Sequence, residues 1–441
     1  MAYPGLPVYA SKDLINWRHI SNALIRQSQI PEMDSRSIGQ QDGPHAPTLR
    51  YRNKRLYLTT TYLRLGIGQY PEVKVVVYTT SNPYDSTSWS GPVIMQTSGL
   101  DPDIFWDDEG QAYMSYATVG QAINICNGTG GRNAEGPHIY KKNGFYYLMI
   151  SEGGTELNHT VTVSRSTEVT GPYNSYSENP VLTNKDTNKY FQTVGHADLF
   201  KDDSDNWWGM ALATRSGPKK GKWPEMQPVR GRMKGPLPPK SKKLPGSGPF
   251  YNDAEHIDFS NGIPPNFVTW RPQWRTPSQF QTSPTFDPDN DRLAFVARKQ
   301  TSTLFRFSVD LLFSPDHMSL GVVNLVSSRG KLTPHLRFRI EASGKPGMDA
   351  PKAKVVPIPS DWQGSLVRLT VSTPDDKSFV FSASCVKDAS KTMELGRASG
   401  KIVSGGSGPF AGALLGVYAT SNGGKGSTPA YFSRWTYLPT A

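Results

Sequence analysis

Four stretches in the first half of the chain share one shape: a small or polar opening, an apolar alternation, a turn, then an aromatic-rich alternation. They are APTLRYRNKRLYLTTT from Ala46, DPDIFWDDEGQAYMSYAT from Asp101, EGPHIYKKNGFYYLMISE from Glu135 and HADLFKDDSDNWWGMALAT from His196. Period-two alternation on both sides of an Asn-Gly, Asp-Glu-Gly or Asp-Asp-Ser-Asp turn predicts a β-hairpin in each. Single strands starting at Leu6, Val75 and Val161 read as outer strands of the same units. Antiparallel units recurring in tandem make a β-propeller; the alternative is one large β-sandwich with unrelated hairpins. The spacing is uneven, 55 residues from Ala46 to Asp101, 34 to Glu135 and 61 to His196, so either the blade opening at Asp101 is incomplete or the chain has lost sequence there.

The second half has a different pattern. From about Phe250, alternating runs such as RLAFVARKQ, TLFRFSVDLLF, SLVRLTVST, FVFSASCV and AYFSRWTYL recur with turn signals between them, which predicts a β-sandwich. The expected domains are therefore 1–245 and 250–441, in an all-β chain with very little helix. The 41 glycines and 36 prolines in 441 residues agree with many turns. No apolar run is long enough to cross a bilayer as a helix, and the opening MAYPGLPVYASKDL lacks the pattern of a secretory signal. Cys126 and Cys385 are too few for a disulfide framework and read as free thiols. The formal charge of +11 raises nucleic acid as a partner. Its densest source, Lys219 to Lys243, is threaded with prolines and reads as a connector, so no nucleic-acid partner is expected.

In a propeller the innermost strands line the axis, so the residues that open successive hairpins converge. Asp101, Glu135 and His196 hold such positions. Two carboxyl groups in an aromatic-lined hollow are the minimum for glycoside hydrolysis, one protonating the departing oxygen. Asp107, Asp108, Glu109, Asp202, Asp203 and Asp205 sit in turns and read as solvated acids. Trp106 is a candidate platform for a sugar face, although an aromatic on a hairpin is more often a packing residue.

The stretches PGLPVYASKDLINW, GLDPDIFWDDEGQAYMSYATVGQ, NGTGGRNAEGPHIYKKNGFYYLMISEGGT, TVGHADLF and QPVRGRM, with SSRGKLTPHLRFRIEASGKPG in the second half, resemble glycoside hydrolase family 43. The likeness is to fungal β-xylosidase/α-L-arabinofuranosidase members and extends over nearly the whole chain. It implies a five-bladed propeller followed by a sandwich, and inverting hydrolysis of terminal xylosyl or arabinofuranosyl units of xylan-derived oligosaccharides or arabinoxylan fragments, with no cofactor required. It also implies that Glu135 is the general acid and that Asp101 orients it and favours its protonated form. Asp103 is the fallback if the register is shifted by two. His196 matches a histidine under the site that is associated with water or calcium, and with Trp106 it is a candidate substrate-binding residue.

Three departures from the family pattern stand out. The general-base aspartate of a Tyr-Pro-Asp-Pro-Ser-like segment has no counterpart before Met1-Ala2-Tyr3-Pro4-Gly5. The chain looks shortened between Gln121 and Asn127, and again after Arg215-Ser-Gly-Pro, where a Gly-Arg-Glu stretch is expected. Without the general base impaired turnover is expected, and a sugar-binding pseudoenzyme that keeps the pocket without turnover is the alternative.

Overall fold

In a computed structural model of the protein, each of the four stretches is an antiparallel hairpin. The first pairs Gly43–Arg52 with Arg55–Arg64, the second Leu100–Trp106 with Ala112–Ala117. The third pairs Glu135–Lys142 with Phe145–Glu152, the fourth Gln192–Lys201 with Trp207–Thr214. The structure describes residues 2–12, 14, 17–30, 42–64, 72–95, 97, 99–118, 122–189, 191–214, 254–270, 294–312, 323–328, 331–340, 350–403, 413–419 and 430–440. The basic stretch from Lys219 to Lys243 and the 245–250 boundary lie outside them. Among the described residues the only α-helix is the four-residue Gly400–Val403.

Two of the hairpins close on two-residue turns, Asn53-Lys54 and Asn143-Gly144, with both residues in the left-handed region. This geometry matches the strand twist, and asparagine and glycine adopt it at low cost. Outer strands extend the first hairpin, through Glu72–Thr80 and Val93–Met95, and the third, through Thr160–Ser166. The second and fourth hairpins are two-stranded among the described residues.

The contacts divide the chain into two compact units. One holds Ser28–Ile30 and Ile38–Glu225, and therefore all four hairpins. The other holds Met1–Gln27, Pro31–Ser37 and Met226–Ala441. This differs from the expected 1–245 and 250–441 at the N-terminus. Ala2–Tyr3 pairs with Phe267–Trp270, and the strand containing Leu6, Gly5–Ser11, pairs with Trp17–Leu24 rather than joining one of the four hairpin sheets. The second unit's six-stranded sheet carries Phe305, Phe307 and Val309 inward from one strand and Trp435 and Tyr437 from its neighbour, all under 5% exposed.

Candidate active site

The same irregularity interrupts the first strand of every hairpin. Pairing slips between His45 and Thr48, Leu100 and Asp103, Glu135 and His138, and Gly195 and Asp198. Inside each slip one residue has positive φ: Ala46 at 43°, Asp101 at 57°, Gly136 at 58° and His196 at 47°. These β-bulges bend the strand and re-aim side chains. Three of the four residues are not glycine, and strain of this kind gathers at functional sites. Backbone groups around the bulge are met by hydroxyls of the preceding hairpin. Thr59 Oγ1 donates to Pro102 O at 2.6 Å, Thr61 Oγ1 to Gly99 O at 2.9 Å and Ser115 Oγ to Pro137 O at 2.8 Å. His196 N donates to Ser151 Oγ at 2.6 Å. Each hairpin thus fixes the bulge of the next.

The bulges bring Asp101, Glu135 and His196 together, with polar atoms all within 4.8 Å of one another. Gly136 N donates to Asp101 Oδ2 at 3.0 Å, which ties the second hairpin to the third beside Glu135. Gly136 also leaves room for the His196 ring, since a β-carbon there would lie 3.2 Å from Nε2. Glu135 Oε1 is buried, 3.3 Å from His159 Nε2 and 3.5 Å from His196 Nδ1. The 24% exposure of the Glu135 side chain therefore comes from its other atoms.

Burial alone would raise the Glu135 pKa, but the hydrogen bonds and charges of His159 and His196 outweigh it and bring the group down to about 2. Burial works against a charged His196, yet Glu135 and Asp101 raise its pKa. Asp101 is raised, mainly by burial, against the pull of His196 and the Gly136 N–H. In the free site the two imidazoles hold Glu135 low, so Asp101 alone does not set its proton affinity. Carbon NMR of the free protein is expected to show Glu135 titrating near pH 2; titration above 4.5 would contradict the geometry. The stabilisation linked to this lowered pKa is complete above about pH 4.5 and is lost as pH falls toward 2.

The structure does not bring Trp106 to this group. It lies five residues along the strand from Asp101, about 16 Å at the usual rise. There it meets Tyr57 edge-on at 5.0 Å, with the Arg52 guanidinium 5.1 Å from its ring. Asp103, the fallback acid, is 1% exposed and bound to Arg50 at 2.6 Å. His159 was not singled out in the sequence. It is 1% exposed, its Nδ1 lies 3.1 Å from Thr193 O, and Gly195 makes room for its ring. A lone histidine in a turn carries no pattern that could have revealed it. Calcium takes six to eight oxygen ligands, so two carboxylates and one imidazole do not by themselves make a calcium site.

Comparison with known proteins places this geometry. The family described as Glycosyl hydrolases family 43 matches residues 1–127 and 116–235, and the Beta xylosidase C-terminal Concanavalin A-like domain matches 281–438. The non-reducing end alpha-L-arabinofuranosidase BoGH43B of Bacteroides ovatus is 28% identical over 98% of this chain and 88% of its own length. Xylosidase/arabinosidase 43B of Humicola insolens is 31% identical over 45% of this chain and 40% of its own. The crystal structure of a xylan beta-1,4-xylosidase from Bacillus halodurans superposes with a TM-score of 0.79 at 23% identity, over 99% of this chain and 94% of that one, and shows the shared fold. That fold is a five-bladed β-propeller followed by a β-sandwich. With the family matched over more than half of the sequence and its acidic positions converging in space, the chain belongs to glycosyl hydrolases family 43.

Proposed function

We propose that the protein removes terminal β-D-xylosyl or α-L-arabinofuranosyl units from xylan-derived oligosaccharides or arabinoxylan fragments, with inversion, and that Glu135 is the proton donor. The observation that carries this is the meeting of Asp101, Glu135 and His196 from three separate hairpins. An inverting pair of acid and base stands about 6.5–9.5 Å apart to admit water. Asp101 lies within 4.8 Å of Glu135, too near to be that base, and its proximity suits orientation of the acid. The separation alone also resembles that of a retaining pair; membership of glycosyl hydrolases family 43 favours inversion.

In the free site the imidazoles favour the ionised form of Glu135, and Glu135 and Asp101 in turn favour a charged His196. A sugar that expels water penalises the separated charges of carboxylate and imidazolium and favours their neutral forms, which moves the proton to Glu135. No cofactor enters this sequence. A calcium ion beside His196 would need water for most of its ligands. The narrower likeness to fungal members, and a chain shortened relative to them, are also proposed and are supported by the sequence stretches quoted above.

The test is turnover of 4-nitrophenyl β-D-xyloside and α-L-arabinofuranoside, with the first-formed sugar anomer read by proton NMR. Inverted product is expected. Retained configuration would exclude the inverting assignment, and calorimetric binding of xylobiose without product would mark a sugar-binding module instead.

A further inference from the structure

Beneath the bulges a second layer of polar residues meets on one guanidinium. Arg50, four residues after the first bulge, donates from Nη2 to Asp103 Oδ2 at 2.6 Å and to Asp198 Oδ1 at 2.9 Å, and from Nη1 to Asp198 Oδ2 at 2.7 Å. His138 Nδ1 lies 3.2 Å from Arg50 Nη2 and 3.0 Å from Asp103 Oδ2. Tyr140 closes the layer, donating its hydroxyl to Asp198 Oδ1 at 2.8 Å and accepting from Leu199 N at 2.9 Å. Asp103 stands two residues after Asp101, His138 three after Glu135 and Asp198 two after His196. One side chain of the first hairpin therefore holds the strands that carry all three site residues.

We propose that Arg50 is a positioning residue: its guanidinium clamps the second, third and fourth hairpins together and so sets the separation of Asp101, Glu135 and His196 above it. Its planar fork satisfies the Asp198 carboxylate through two nitrogens while reaching Asp103, which a lysine ammonium cannot reproduce. Each site residue sits on a bulge, where ladder pairing is interrupted and the strand is least able to fix its own side chain. The three hairpins are joined at the bulges by individual hydrogen bonds, and the guanidinium adds a charged link to them. The effect on turnover rests on the hydrolase reading given above; the effect on geometry does not.

Crystal structures and kinetics of two variants test the clamp. Arg50→Lys keeps the charge and loses the fork. Arg50→Met/Asp103→Asn/Asp198→Asn removes the whole charge cluster, so that no buried carboxylate is left without a counter-charge. In both, the three site residues are expected to spread beyond their present 4.8 Å. Turnover number per folded molecule is expected to fall about 10²-fold, as displacements near 1 Å do in oriented sites, with KM changing far less. A purely structural role would lower the melting temperature and leave both readouts in place. Unchanged separation in either folded variant, or a spread without loss of turnover number, overturns the proposal. If the unsubstituted protein releases no sugar, the hydrolase reading fails, and the crystallographic separation alone decides the clamp.

Discussion

Glu135→Gln is expected to lower the turnover number on xylobiose by about 10³-fold, within the range that a positioned general acid contributes. The amide keeps the shape of the side chain and its place between His159 and His196, so substrate affinity is expected to change little. The loss should depend on the leaving group. A sugar alkoxide cannot depart at neutral pH without a proton, whereas nitrophenolate can, so 4-nitrophenyl xyloside should suffer a much smaller loss. Turnover in the unsubstituted protein should also decline as pH rises, as the proton held among Glu135, His196 and Asp101 is lost. That alkaline limb should disappear in the variant. Equal losses on both substrates, or a surviving limb, would place the proton donor elsewhere.

How far the sequence revealed this site depends on which property is asked of it. Alternation gave all four hairpins, because period two is a direct consequence of strand geometry. It also marked Asp101, Glu135 and His196 as neighbours on the axis. The alternation could not show that these positions are not strictly equivalent. Asp101 and His196 occupy the positive-φ residue of their bulges, whereas in the third hairpin Gly136 does, and Glu135 precedes it by one. A faint trace was present, since Asp-Pro, Gly-Pro and Ala-Pro follow one pattern at Asp101, Gly136 and Ala46. Proline fixes the chain after the bulge and supplies no N–H to be left unpaired. The second layer, Arg50 with Asp103, His138 and Asp198, was invisible for another reason. Its members lie far apart along the chain and look like ordinary strand polar residues until the hairpins converge. Trp106 fell the other way: its chemistry suited a sugar, but the direction of its strand carries it to the far end of the hairpin.

The legible half of the second unit yields the other large effect. Trp435→Ala is expected to destabilise that unit by about 3–5 kcal/mol, the usual cost of deleting a large aromatic from a packed core. The strand Tyr431–Pro439 turns Trp435 and Tyr437 inward and Thr436 outward, and Trp435 is 1% exposed. Its ring lies 4.6 Å from Phe307, 4.8 Å from Phe267 and 6.2 Å from Phe259, edge-on or tilted, as ring quadrupoles favour. Its indole N–H is buried with no acceptor among the described residues. The ring therefore stabilises by packing against a polar cost, and Trp435→Phe, which removes that N–H together with some volume, should be distinctly milder than Trp435→Ala. Since whole domains are stable by only about 5–15 kcal/mol, the alanine variant should lose a large part of this unit's margin. Urea denaturation of the two variants measures the difference. A cost below about 1 kcal/mol for Trp435→Ala would mean that the aromatic cluster is not what holds these sheets together.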